Sequence, residues 1–288
     1  MTESLLVGAS GPVAEPQSVQ ISADQVVRYQ RLAVRDGQYA GLVTLNRPDQ
    51  LNAINWEALR ALRAALAEAA RDPAVRAVLL TGRGRAFCVG GDIKGFVDLQ
   101  ADPVAFPQFV DTFIDVVTSI RTMPKPVIAL VNGICVAGGL ELLLACDFAW
   151  AADSAQLGDL HLNYAQIGGA GAMTLLPRVI GPPRARELVL SGRLLSAAEA
   201  LDWGLVNRVL PDADLVGEAM ELVRGIAAKS PAAVATARHL LNTGLSTDLD
   251  AALRHERTTA LLHCLTGTDA REGVTAFAEK REPRWPAR

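Results

Sequence analysis

The chain has 288 residues, 50% hydrophobic and 20% charged, with a formal net charge of −3. That length bounds it to one large domain or one domain with an appendage, because single cores stop growing at roughly 250–300 residues. The charge balance gives no ground for a nucleic-acid partner, and no segment approaches the ~20 uninterrupted apolar residues of a membrane span.

Cys88, Cys135, Cys146 and Cys264 form no C-x-x-C pair and three of them sit in apolar runs, so reduced, buried thiols are expected. His161, His239, His255 and His263 lack the spacing of a metal site, and the last three read as structural or surface residues. The N-terminus lacks the basic start and apolar run of a signal peptide, which makes a cytoplasmic location the expectation.

Residues 1–24 are rich in Gly, Pro and Ser with little periodicity and read as a flexible leader. Residues 26–34 and 41–45 are β-prone runs separated by Asp36-Gly37, a hairpin signal. Asn55 can cap a helix over 56–70, apolar at Leu59, Leu62, Leu66 and Ala69 and stopped by Pro73. Residues 75–81 suit a buried parallel strand, and the glycine turn Val89-Gly90-Gly91-Asp92 follows. A helix over 103–121, a strand over 126–131, a helix over 140–145 and a strand over 148–151 come next. Strand, strand, helix, repeated, implies a mostly parallel sheet with helical crossovers, wound as a spiral of ββα turns.

After Gly168 strands become scarce and helices are expected over 173–180, 182–191, 196–203, 212–229, 231–241, 247–266 and 268–280. Leu253, Leu261, Leu262 and Leu265 lie on more than one side of their helix, which points to burial against another subunit. The expected organisation is a leader (1–24), a ββα core (25–211) and a C-terminal helical oligomerisation region (212–288).

Residues 132–147 carry the strongest chemical signal. A β-branched run turns through Ala137, Gly138 and Gly139 into an apolar helix whose first N–H groups have no internal acceptor. Glu141 lies three residues after Gly138, on the same face as those donors. The stretch alone admits two readings: a base beside an oxyanion site, or a tight packing turn with an acidic residue favouring the helix N-terminus.

Several segments together resemble the crotonase (enoyl-CoA hydratase/isomerase) superfamily. They are Leu45-Asn46-Arg47-Pro48 with Leu51-Asn52-Ala53, Ala86-Phe87-Cys88-Val89-Gly90-Gly91-Asp92-Ile93-Lys94, Pro124-Lys125-Pro126, Gly138-Gly139-Leu140-Glu141, Gly169-Ala170-Gly171, and Arg271-Glu272-Gly273 through Phe277 to Lys280. The resemblance implies a crotonase-like spiral core with a C-terminal helical trimerisation region, assembled as a homotrimer or a dimer of trimers. It implies an acyl-CoA thioester as substrate, CoA being part of that substrate and no other cofactor being needed. Some relatives act chiefly as binding proteins, RNA binders included, but the acidic net charge and the seven Phe, four Trp and three Tyr argue against RNA here, so no nucleic acid and no membrane is the expectation. The thioester oxygen would be held by the backbone N–H groups of Val89 and Gly138, with Val89 standing where alanine is more frequent.

Val89, Gly90, Gly91, Asp92, Ile93 and Lys94 would contact CoA, Lys94 either pairing with a phosphate or standing as a solvated lysine. Phe277 and Lys280 match a segment that often reaches a neighbouring subunit's CoA; an amphipathic helix explains them equally. Arg178, Arg184, Arg186 and Arg193 form either a solvated face or an aid to the CoA phosphates.

The chain departs from the family at one place. Hydratases use two glutamates; Glu141 matches the first, while His161 stands where the second is expected, with Asp159 two residues earlier. His161 either replaces the acid–base group, orients substrate while Glu141 works alone, or lines the wall. The expected reaction is hydration of a 2-enoyl-CoA to a 3-hydroxyacyl-CoA, with double-bond isomerisation and thioester or β-diketone hydrolysis as alternatives.

Overall fold

The computed structural model describes residues 25–35 and 37–285. The expected leader over 1–24 and Asp36 of the hairpin signal lie outside them. β1 (Val27–Arg35) and β2 (Gln38–Leu45) pair antiparallel, the chain returning through Gly37 at φ 67°. α1 (Trp56–Arg71) starts where the Asn55 side chain accepts the Ala58 N–H at 2.8 Å, and it buries Leu59, Leu62, Leu66 and Ala69 as its 3.6-residue period predicts.

From there the chain winds as a spiral. β3 (Val75–Gly82), β5 (Val127–Val131) and β7 (Phe148–Ala152) join the large sheet in parallel, while the segment after each, β4 (Ala86–Cys88), β6 (Ile134–Val136) and β8 (Gln156–Gly158), joins a second parallel layer. Crossovers are made by α2 (Ile93–Ala101) with α3 (Ala105–Thr122), and by α4 (Gly138–Ala145). Three-residue strands are too short to show a period, so the second layer is invisible to pattern reading. α2 is a second helix ahead of the single one expected at 103–121; it fully buries no residue, and Phe96 and Leu99 pack half-buried against the core.

Downstream come α5 (Ala172–Ile180), α6 (Pro182–Ser191), β9 (Leu195–Ser196), α7 (Ala197–Asp202) and β10 (Arg208–Leu210). The large sheet runs β1-β2-β3-β5-β7-β10 and the small one β4-β6-β8-β9. One core fills the space between the sheets and α1, α3 and α4; a second lies on the far face of the large sheet. There α8 (Leu215–Ala227) lays Leu215, Ala219, Val223 and Ala227 against Ala77, Leu79, Ile128 and Leu130.

α9 (Pro231–Gly244) is tied down by Arg238 and by Asn242, whose side chain donates to the Arg121 carbonyl at 3.0 Å. Arg238 is 7% exposed, donates to the carbonyls of Ile120, Arg121 and Met123, and pairs with Asp147 at 2.7 Å. Asp147, just past the end of α4, also accepts the Val127 N–H at 2.7 Å. α10 (Leu249–Thr266) buries none of its residues, and Leu253, Leu261, Leu262 and Leu265 are exposed in the single chain. α11 (Thr268–Ala278) packs on α9 and α10. Cys88 and Cys135 are free and buried, Cys146 is half-buried, and Cys264 departs from expectation by being exposed.

Candidate active site

Two glycine turns meet at one point because the spiral stacks β4 beside β6. Gly90 has φ 89°, a conformation that side chains resist, and a Cβ there would lie 2.9 Å from the Gly138 nitrogen. The backbone after β4 is thus pressed against the N-terminus of α4. Gly138, as the first residue of α4, has no intrahelical acceptor for its N–H, and the Phe113 ring walls it on one side. Ala137, with φ 50° and ψ −121°, turns the chain from β6 into α4; such strain in a non-glycine residue persists where the surroundings enforce it. The turn holding Val89 is clamped from below: Ile54 N–H donates to Gly90 O at 2.7 Å and Asp92 N–H to Ile54 O at 2.9 Å.

Glu141 is 2% exposed on the buried helix α4. Its Oε1 accepts the Ala170 N–H at 2.7 Å and the Ala172 N–H at 3.2 Å, which fixes the carboxyl group and leaves Oε2 without a hydrogen bond among the described residues. Burial raises its pKa above the ordinary carboxylate range; the two N–H groups and His161 oppose that shift, and Asp159 adds to it.

His161 opens the short 3-10 helix His161–Tyr164. Asp159 is fully buried, and one of its oxygens, Oδ1, accepts both the His161 backbone N–H at 3.0 Å and ring Nδ1 at 2.8 Å. Burial pulls the imidazole pKa down, but the hydrogen bond and charge of Asp159, with the charge of Glu141, outweigh it and the net shift is upward. A Cβ placed on Gly168 would lie 2.9 Å from Glu141 Oε1 and 3.0 Å from His161 Cε1. The carboxyl group and the imidazole, twenty residues apart in sequence, therefore converge on Gly168.

Gly91 bridges to Ile54. The Asp92 carboxylate is held at 2.7 Å by Arg47, which also donates to Ala53 O at 2.5 Å. Ile93 is exposed on α2, and Lys94 lines a cavity of about 410 Å³ with Arg47, Gln50, Asn55, Trp56 and Phe96. Phe277 is 87% exposed at the end of α11 and Lys280 lies just beyond, exposed at φ 54°; the single chain does not bring either to Glu141. Arg184 pairs with Asp202, and Arg193 with Glu187 and Glu199, which leaves their surface reading intact. Sequence reasoning assigned no task to Asp159, Gly168 or the N–H groups of Ala170 and Ala172. The Asp-x-His spacing is the one signal that was legible, since an Asp accepting the N–H two residues on is a common turn.

Comparison with known proteins gives a consistent set of matches. Residues 37–288 match the family model described as enoyl-CoA hydratase/isomerase. The Bacillus subtilis protein YngF is 40% identical over 245 residues, 85% of this chain and 93% of that one. A Syntrophomonas wolfei protein named crotonyl-CoA hydratase is 34% identical over 255 residues, 88% of this chain and 97% of that one. The crystal structure of an enoyl-CoA hydratase from Bacillus anthracis superposes with a TM-score of 0.84 at 35% identity, covering 90% of this chain and 99% of that one.

Proposed function

The chain belongs to the enoyl-CoA hydratase/isomerase family, and from that premise we propose that it adds water across the double bond of a 2-enoyl-CoA to form a 3-hydroxyacyl-CoA. The observation that carries this reading is the convergence of the Glu141 carboxyl group and the His161 imidazole on Gly168, beside the paired turns of Gly90 and Gly138. Hydration needs two proton-handling groups and a cradle for the oxygen that becomes negative.

In this scheme Glu141, its Oε2 without a hydrogen bond among the described residues, acts as base on a water aimed at C3 of the substrate. His161 handles the second proton. The enolate oxygen of the thioester lies between the N–H groups of Val89 and Gly138, whose dipoles are worth most where charge develops; one such donor typically contributes about 2.7–4 kcal/mol. Val89 through Lys94, with Lys94 at a phosphate, lie along the CoA moiety. The proton inventory closes without a redox carrier, and CoA enters as part of the substrate. The exposed leucines of α10 and the exposed Phe277 fit a homotrimer or a dimer of trimers in which a neighbour covers them.

The test is steady-state hydration of short- and longer-chain enoyl-CoA substrates in 18O-labelled water by wild type, Glu141→Gln and His161→Ala. Label in the product and a loss of at least 100-fold in Glu141→Gln are expected. A shifted double bond without label would instead make the chain an isomerase, and undiminished turnover in both variants would remove these residues from the mechanism.

A further inference from the structure

We propose that Asp159 is the positioning residue for His161, so that the second acid–base group of this site is an Asp-fixed imidazolium which delivers the α-proton. The inference deepens the hydration reading and rests on it for its kinetic consequences alone. It begins with a local turn. β8 ends at Gly158 and the next helical turn begins at His161, so Asp159 stands two residues before the ring it must hold. Its Oδ1 accepts the His161 backbone N–H at 3.0 Å and ring Nδ1 at 2.8 Å. A carboxylate has no proton to give, so Nδ1 is the protonated nitrogen and Nε2 is left for chemistry.

The second observation is the other oxygen. Asp159 is 0% exposed and its Oδ2 has no hydrogen-bond partner among the described residues. A buried carboxylate with half its acceptors idle is costly unless a cation stands beside it. The charged groups that act on the ring are Asp159 from its own loop and Glu141 from α4, both acidic. α6, which packs against the 3-10 helix, brings Arg184, Arg186 and Glu187, but Arg184 is paired with Asp202, Glu187 with Arg193, and Arg186 lies at the surface. Among the described residues the imidazole is therefore the group acting with these two carboxyl groups that can carry compensating positive charge.

The proton balance assigns the roles. Glu141 as carboxylate takes a proton from water while the water oxygen bonds to C3. The C2–C3 π pair moves into the thioester as an enolate. As the enolate collapses, its electron pair takes the Nε2 proton of His161 to form the C2–H bond. Neutral imidazole and protonated Glu141 remain, and exchange of one proton between them through solvent restores the start. The sum is one water added, with nothing oxidised or reduced. An imidazolium is a proton donor near neutral pH.

The test uses Asp159→Asn, which is isosteric and keeps an oxygen for the backbone N–H, both alone and combined with His161→Glu. Long-range 1H–15N NMR of histidine-labelled protein is expected to show Nδ1–H in wild type and titration above about 6.5; in Asp159→Asn the titration moves down and the tautomer becomes mixed. Kinetically, kcat falls at least tenfold, the alkaline limb of the pH profile moves to lower pH by a unit or more, and KM changes less than threefold. Once His161→Glu removes the ring, the further loss caused by Asp159→Asn shrinks to less than twofold. An unmoved His161 titration, or equal losses in both backgrounds, overturns the assignment. If wild type yields no labelled hydroxyacyl product, the hydration reading fails while the NMR titration still decides the Asp159–His161 pair.

Discussion

Gly168→Ala adds one methyl group at the point where the two proposed reacting groups meet. The added carbon would lie 2.9 Å from Glu141 Oε1, 3.0 Å from His161 Cε1 and 3.1 Å from Ala172 Cβ. Ordinary carbon contacts run about 3.5–4.0 Å, so each neighbour must yield roughly 0.5 Å. Neither reacting group can do so freely, since Glu141 is held by two backbone N–H groups and the His161 ring by Asp159. A misplacement of 1 Å costs about 100-fold, so half that at both groups is expected to lower kcat about 10- to 100-fold, or about 1.4–2.7 kcal/mol of barrier.

The fold should survive. Gly168 adopts no positive φ, so alanine fits its backbone and stiffens the unfolded chain by about 0.4–1 kcal/mol. Overpacking works the other way by about 1–3 kcal/mol. The assay is loss of the conjugated enoyl-thioester absorbance under saturating substrate, beside a thermal melt. A variant that melts within a few degrees of wild type and keeps kcat within twofold would refute the placement of both groups around Gly168.

Gly90→Ala meets a harder obstacle, φ 89° and the Gly138 nitrogen 2.9 Å away; kcat is expected to fall about 100- to 1,000-fold, as when an oxyanion donor is removed, and equal kcat would mean the Gly90–Gly138 contact does not form the cradle. Arg238→Ala leaves Asp147 without its ion pair and frees three carbonyls of the segment around Met123. A loss of about 3–5 kcal/mol by chemical denaturation is expected, and a loss below about 1 kcal/mol would show that α9 is held elsewhere. The pH–rate profile of kcat/KM should rise through a limb above the ordinary carboxylate value, set by Glu141, and fall through a limb above about 6.5, set by His161.

Stability should follow with a definite sign. His161 has a raised folded pKa, so its contribution is full below about 6.5 and is lost as pH rises through the folded value. Glu141 is raised as well, so its ionisation costs stability as pH climbs above about 4.3. Denaturation midpoints of wild type should fall across that window, and Glu141→Gln should flatten the acidic part of the slope; an unchanged slope would count against the buried carboxyl group.

The large-sheet strands and the first helix were legible because buried parallel strands read as apolar runs and helices as a 3.6-residue period: β3, β5, β7 and α1 lie close to where these patterns put them. The glycine turns and Glu141 were legible for a similar local reason, since close backbone approach and free helical N–H groups leave a mark in single residues. The three-residue strands β4, β6 and β8 were not, being shorter than any period.

What the sequence by itself determined, then, was which chemical groups are present and the order in which the spiral lays them down. Their meeting was decided by tertiary structure alone. Gly90 presses on Gly138 because β4 and β6 are neighbours in a parallel layer, and the Glu141 carboxyl group and the His161 ring meet because both are packed against Gly168. Asp159 shows the division most plainly. An Asp-x-His spacing says only that a turn is possible, whereas complete burial of the carboxylate, with one oxygen on the ring and the other without a partner among the described residues, turns that spacing into an electrostatic demand for an imidazolium.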